Sequence, residues 1–193
     1  MPRVFLPLCR HRFSLFLPAC GHNAADLMFT QAINGIRDAL DSIPQFRSAI
    51  DDRDTAETTI RLFIENSLQN AVTAFQRYAE VLYSRFPSMP IPRRNAFQNL
   101  KEGSDLWISP SGKSYTSYLS DDESRSLVRF FQQRHLLAHT QGIVDDDYVT
   151  RTGDTAYQVG QRVVIREVSV RECLILIEKL ITGMASDAPT KIT

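Results

Sequence analysis

From Phe29 onward the chain spaces its apolar residues three and four apart, the period of a helix rather than of a strand. Phe29, Ile33, Ile36, Leu40 and Ile43 form the first such stripe, which Pro44 interrupts. A longer stripe runs through Ile60, Ile64, Leu68, Ala71, Phe75, Tyr78 and Leu82. Ahead of it, Asp54-Thr55-Ala56-Glu57 reads as a capping box, with Asp54 bonding the backbone and Glu57 reaching back. Pro87, Pro90 and Pro92 end this helix, and Asn95-Ala96-Phe97-Gln98 starts a short one that runs through about Leu106. A polar loop spans Ser109 to Ser117.

Ser120-Asp121-Asp122-Glu123 joins a second capping box to two further acids that suit a positive helix N-terminus. Its helix should reach about Thr140, with Gly142 as the stop. Tyr148-Val149-Thr150 and Arg162-Val163-Val164-Ile165 flank Gly153-Asp154 and Gly160, a pattern that predicts a small β-hairpin. Ser169-Val170-Arg171-Glu172 caps a final helix bearing Cys173, Leu174, Leu176, Ile177, Leu180 and Ile181, closed by Gly183. The expected fold class is all-α, a bundle of about five helices with one hairpin before the last. Residues 25–186 make that domain; 1–24 read as an irregular N-terminal tail and 187–193 as a disordered C-terminus.

Length and charge narrow the function. A chain of 193 residues suits one domain with a real core. Lys+Arg and Asp+Glu are 22 each, so a non-specific nucleic-acid coat or a membrane-surface protein is not expected, and any nucleic-acid contact must be local. Cys9, Cys20 and Cys173 make no disulfide framework, which points to a reducing, cytoplasmic location. No apolar run approaches the ~20 residues of a membrane span, and the first segment lacks the pattern of a signal peptide.

The candidate chemistry lies in Arg134-His135-Leu136-Leu137-Ala138-His139. On a wheel of about 100° per residue, Leu127, Phe130, Phe131, Leu137 and Ala138 form one apolar face with Arg134 near its middle. A buried guanidinium is costly unless paired. Arg134 therefore meets an internal carboxylate, faces a cleft or subunit interface that takes an anion, or packs its stem and snorkels its head outward. Glu65, at the edge of the long stripe, is a candidate partner. His135 and His139 share a flank beside Gln132, with His139 in the last turn, where the helix dipole favours the protonated ring. Imidazoles titrate near neutrality, which suits the proton transfers of RNA cleavage. An arginine can hold the phosphate and stabilise its developing charge, with Gln132 as a second polar contact to substrate. Two copies in a symmetric dimer would double this small set.

Arg134 and His139 with four residues between them, on the penultimate helix of a bundle that begins with long helices, resemble the HEPN superfamily. The stretch from Phe131 through Gln141-Gly142-Ile143-Val144-Asp145, followed by Thr152-Gly153-Asp154 and Val159-Gly160, is similar to a bacterial branch of it. The resemblance covers residues 26 to 185. It implies a homodimer whose two motifs face each other across a cleft, acting as a metal-independent endoribonuclease in a toxin or defence role, with RNA as substrate and an antitoxin or regulatory protein as a further partner. Arg134 would orient the phosphate, His139 act as acid or base, and His135 support the site where the family commonly carries Asn. The alternative is a non-catalytic HEPN module that binds RNA, a nucleotide or a partner protein.

Other motifs carry less. Phe5-Leu6-Pro7-Leu8-Cys9-Arg10-His11 is echoed by Phe16-Leu17-Pro18-Ala19-Cys20-Gly21-His22. Cys9, His11, Cys20 and His22 would complete a Cys₂His₂ zinc set, but Leu6 and Leu17 stand where a knuckle places its first ligands, and a remnant tail is the favoured reading. We expect no cofactor. His135 and His139 also have metal-ligand spacing, yet Leu136 replaces the glutamate of a His-Glu-x-x-His protease. Gly112-Lys113-Ser114 lacks the earlier glycine and the strand of a phosphate loop. Asp145-Asp146-Asp147 read as a solvated loop and Arg93-Arg94 as a solvated turn beside a helix start.

Overall fold

The longest apolar stripe makes the longest helix. The computed structural model describes residues 24–190, and α3 (Arg53–Tyr83) is the element around which they pack. Its buried side chains include Ile60, Ile64, Leu68, Ala71, Phe75, Tyr78 and Leu82, the stripe read from sequence. Before it come α1 (Ala24–Asp41) and α2 (Ile43–Ala49); after it come α4 (Leu100–Ser111), α5 (Asp121–His139), α6 (Asp146–Thr152) and α7 (Glu167–Asp187). Short 3-10 turns at Ala96–Gln98 and Tyr115–Ser117 precede α4 and α5. The all-α class holds, and the described residues contain seven α-helices rather than about five.

The extra helices come from local chemistry that periodicity alone does not show. Pro44 opens α2 as well as ending the first stripe, because the first turn of a helix has no use for the missing N–H. Asp52, not Asp54, caps α3, accepting from the Thr55 N–H at 2.8 Å, while Glu57 pairs with Arg47. The expected hairpin is replaced by α6. Asp145 accepts from the Tyr148 N–H at 2.8 Å, Asp146 and Asp147 occupy the positive first turn, and Gly153 (φ 61°) ends the helix. The three aspartates are thus a helix start and not a loop. The extended segment at Arg162 pairs instead with the chain leaving α5, through one antiparallel bridge between Ile143 and Arg162.

α5 begins as expected. The Ser120 hydroxyl accepts from the Glu123 N–H, and Glu123 accepts from the Ser120 N–H at 2.7 Å. Lys179 on α7 reaches the same carboxylate at 2.6 Å, tying the cap to a neighbouring helix. At the other end Gln141 (φ 54°) and Gly142 (φ 85°) both take left-handed backbone, and the Gly142 N–H bonds the Leu136 carbonyl at 2.9 Å.

α4 runs beyond Leu106 to Ser111, capped by Asn99, and Gly112 (φ 72°) ends it. Lys113 bonds Asp187 at 2.8 and 2.9 Å, so this Gly-Lys-Ser segment serves packing rather than phosphate. α7 passes Gly183 and continues through Asp187, so that residue belongs to the helix. Gly183 is needed inside it, because a Cβ there would lie 2.7 Å from Tyr118 Cγ. Tyr118 cannot easily retreat: its hydroxyl accepts from Trp107 Nε1 at 2.9 Å and donates to Asp187 at 2.6 Å. Burial, helped by Asp187, pushes the Tyr118 phenol up to about 12. Overpacking costs about 1–3 kcal/mol and helix propensity returns ~1 kcal/mol, so Gly183→Ala should destabilise by up to about 2 kcal/mol net. Urea unfolding of the variant would measure it.

Candidate functional site

The last turns of α5 carry the candidate residues, but their faces differ from those of an ideal wheel. Leu127, Phe130, Phe131, Gln133 and Leu136 are buried, Arg134 is half-buried, and His135, Ala138 and His139 are exposed. Arg134 thus stands at the rim of the apolar face, not at its middle. Gln133 takes the inner position and donates weakly to the Tyr148 hydroxyl at 3.4 Å, which in turn donates to Asp154 at 2.6 Å. Gln132 is half-buried and makes no side-chain hydrogen bond among the described residues.

Glu65 does not meet Arg134. It pairs with Arg162, whose guanidinium nitrogens lie 2.9 and 3.0 Å from its two oxygens, and the Arg162 Nε–H bonds the Gln141 carbonyl at 3.0 Å. One arginine thereby neutralises the buried carboxylate of α3 and also anchors the exit of α5. Arg134 has no carboxylate partner among the described residues. Its one side-chain hydrogen bond there goes from a terminal nitrogen to Gln98 Oε1 at 3.0 Å.

Gln98 is oriented in turn. Its Nε2 donates to Gln76 Oε1, and Gln76 Nε2 donates to Glu80 at 2.8 Å and to Asn95 Oδ1 at 3.1 Å. Gln76 is buried on α3, so this relay is fixed from the core outward. A neutral amide sets the direction of the guanidinium without cancelling its charge. The Arg134 Nε–H is buried and has no acceptor among the described residues. Burial pulls the guanidinium below its usual pKa, but an arginine stays charged across the working range of proteins. Such a cation, partly desolvated and uncompensated, favours an anionic ligand.

The His135 and His139 rings lie 4.5 Å apart between centroids, inclined at 48°, and neither makes a hydrogen bond with a described residue. Burial first, and the neighbouring His139 second, hold His135 below the ordinary imidazole value, against an opposing pull from Asp145. His135 is therefore biased toward the neutral ring, the form that can accept a proton. Among the described residues no group of three or more His, Cys, Asp or Glu side chains could hold a metal ion. Cys9, His11, Cys20 and His22 lie outside the described residues. No described helix is long and apolar enough to cross a membrane.

Sequence reading missed Gln98 and Gln76. Gln98 sits 36 positions from Arg134, and no spacing rule joins a 3-10 turn to the far end of another helix. A scan of protein-family models found no match, and searches among curated proteins and among solved structures found no similar protein.

Two contrasts test this geometry. Arg162→Ala strands the buried Glu65 and should cost about 2–3 kcal/mol, whereas Arg134→Ala, which strands only an amide, should cost under about 1 kcal/mol. Thermal or urea unfolding would separate them. His135 binds its proton less readily when folded, so its contribution to stability is present above the ordinary value of 6.5 and is lost as pH falls toward the lower folded pKa. In an NMR titration, His139→Ala should move the His135 midpoint upward.

Proposed function

We propose that the protein is a metal-independent endoribonuclease of the HEPN type that acts as a homodimer. The observation that carries this reading is Arg134, a half-buried cation oriented by the Gln98 amide, on the same helix end as two exposed imidazoles. An anion-holding group and proton-moving groups are the two needs of phosphodiester transesterification.

In the reaction the 2′-oxygen forms a bond to phosphorus as the bond to the 5′-oxygen breaks. One imidazole takes the 2′-hydroxyl proton and another gives a proton to the departing 5′-oxygen, leaving a 2′,3′-cyclic phosphate and a free 5′-hydroxyl. Arg134 orients the phosphate and offsets the charge that grows on its oxygens, with Gln132 as a further contact to substrate. His139 supplies the acid or base, with His135 supporting it. A two-fold dimer brings a second Arg134 and His139 to the same cleft. A toxin or defence role, restrained by an antitoxin or regulatory protein, is the setting that the resemblance implies.

With EDTA present, the purified protein should cut mixed RNA to products ending in a cyclic phosphate, His139→Ala should abolish cleavage, and Arg134→Ala should lower it roughly 10²–10³-fold. Gln98→Glu should be as damaging as Arg134→Ala, because a carboxylate there neutralises the cation that a glutamine leaves free. Circular dichroism would check that each variant is folded. RNA bound by the wild type without turnover would move the reading to the non-catalytic module.

A further inference from the structure

The chain has no net charge, so how its arginines are partnered decides where a polyanion can lie. Most described arginines are used in ion pairs: Arg37 with Glu178, Arg85 with Asp26, Arg93 with Glu102 and Arg171 with Glu167 are examples. Arg77, Arg94 and Arg134 pair with no described carboxylate, and all three belong to one connected neighbourhood. Arg77 directly follows Gln76, and Arg94 directly precedes Asn95. Gln76 and Asn95 are bonded to each other, and Gln76 is bonded to Gln98, which holds Arg134. The other described arginines without an ion pair to a described carboxylate lie elsewhere: Arg53 and Arg61 early in α3, Arg129 midway along α5, and Arg166 before α7.

A cavity of about 790 Å³ opens at this neighbourhood, lined by Arg77, Arg94, Asn95 and the proline-rich segment from Pro87 to Pro92. Glu80, an acid on its wall, already accepts from Gln76 at 2.8 Å, and Arg93 on the same wall is satisfied by Glu102. Ile91 on that segment is 96% exposed, and Phe86 adds an aromatic ring to the lining. Cationic heads beside apolar and aromatic surface are what a single strand asks for, with phosphates on one and unstacked bases on the other.

We infer that the surface from Arg134 past Gln98 and Asn95 to Arg94 and Arg77 is a binding track for single-stranded RNA, holding the backbone beside the phosphate at Arg134. The inference rests on the reading above of Arg134 as a phosphate-holding group. It assigns a substrate-binding role to Arg94 and Arg77, which lie outside the α5 motif. Both arginines are exposed, so their replacement leaves the core untouched.

The test is fluorescence anisotropy of a labelled 2′-O-methyl oligoribonucleotide, which lacks the attacking hydroxyl and so survives the titration, measured over a range of salt. Arg77→Ala/Arg94→Ala should bind about ten-fold more weakly than wild type at low salt. Its log–log salt slope should be shallower by about 1.4, since each backbone contact in a single strand contributes about 0.7. Arg53→Ala/Arg166→Ala, which removes the same two charges elsewhere, should keep the wild-type slope. A lowered slope in the first pair alone supports the track even for a chain that never cleaves RNA. An unchanged slope, an equal loss in both pairs, or no binding by the wild type overturns the track, whether or not cleavage is seen.

Discussion

The packing of Phe75 against Phe131 sets the register on which the candidate site depends. The two rings meet edge to face, with centroids 5.5 Å apart, and Tyr115 also meets Phe75 edge to face at 6.1 Å. Phe75 is fully buried, and removing an aromatic ring of that kind from a close-packed core costs about 3–5 kcal/mol. Because that contact fixes α3 against α5, the residue after Phe75 and the residue one turn after Phe131 are delivered to the same place. These are Gln76 and Arg134, and Gln98 bridges them. The polar relay is therefore a consequence of an apolar contact. A slip of either helix would separate its members and leave the buried Gln76 amide without partners, at about 1–3 kcal/mol.

Two arginines near the end of α5 meet opposite electrostatic fates, for one reason. Arg162 faces a buried carboxylate, so its charge is spent on the fold, holding the extended segment at Arg162 and the α5 exit against α3. Arg134 faces an amide, so its charge is kept. The difference is a glutamate against a glutamine at the contacting position, a change of one atom type that decides whether a guanidinium is structural or free to meet an anion. The same partition holds at a larger scale. Ion pairs use up the charges of arginines such as Arg37, Arg93 and Arg171, whereas Arg77, Arg94 and Arg134 near the relay pair with no described carboxylate.

Much of this was legible in the sequence because it is local. Apolar residues three and four apart declare which segments are helical, Ser120 and Glu123 satisfy each other's backbone within one turn, and Gly142 can take a left-handed conformation that ends α5. The presence of Arg134, His135 and His139 together on one helix end follows from spacing alone. Tertiary structure decided the rest. It placed Gln133 inward and Arg134 at the rim, joined Glu65 to Arg162 across 97 positions, and joined Arg134 to Gln98 across 36. It also turned the aspartates at 145–147 into the start of α6, where a hairpin had been the expectation. Helix periods and caps are energies of neighbours in the chain, so a sequence displays them. The partner of a charge is chosen by which helices pack together and in what register, and that choice is made by the core as a whole.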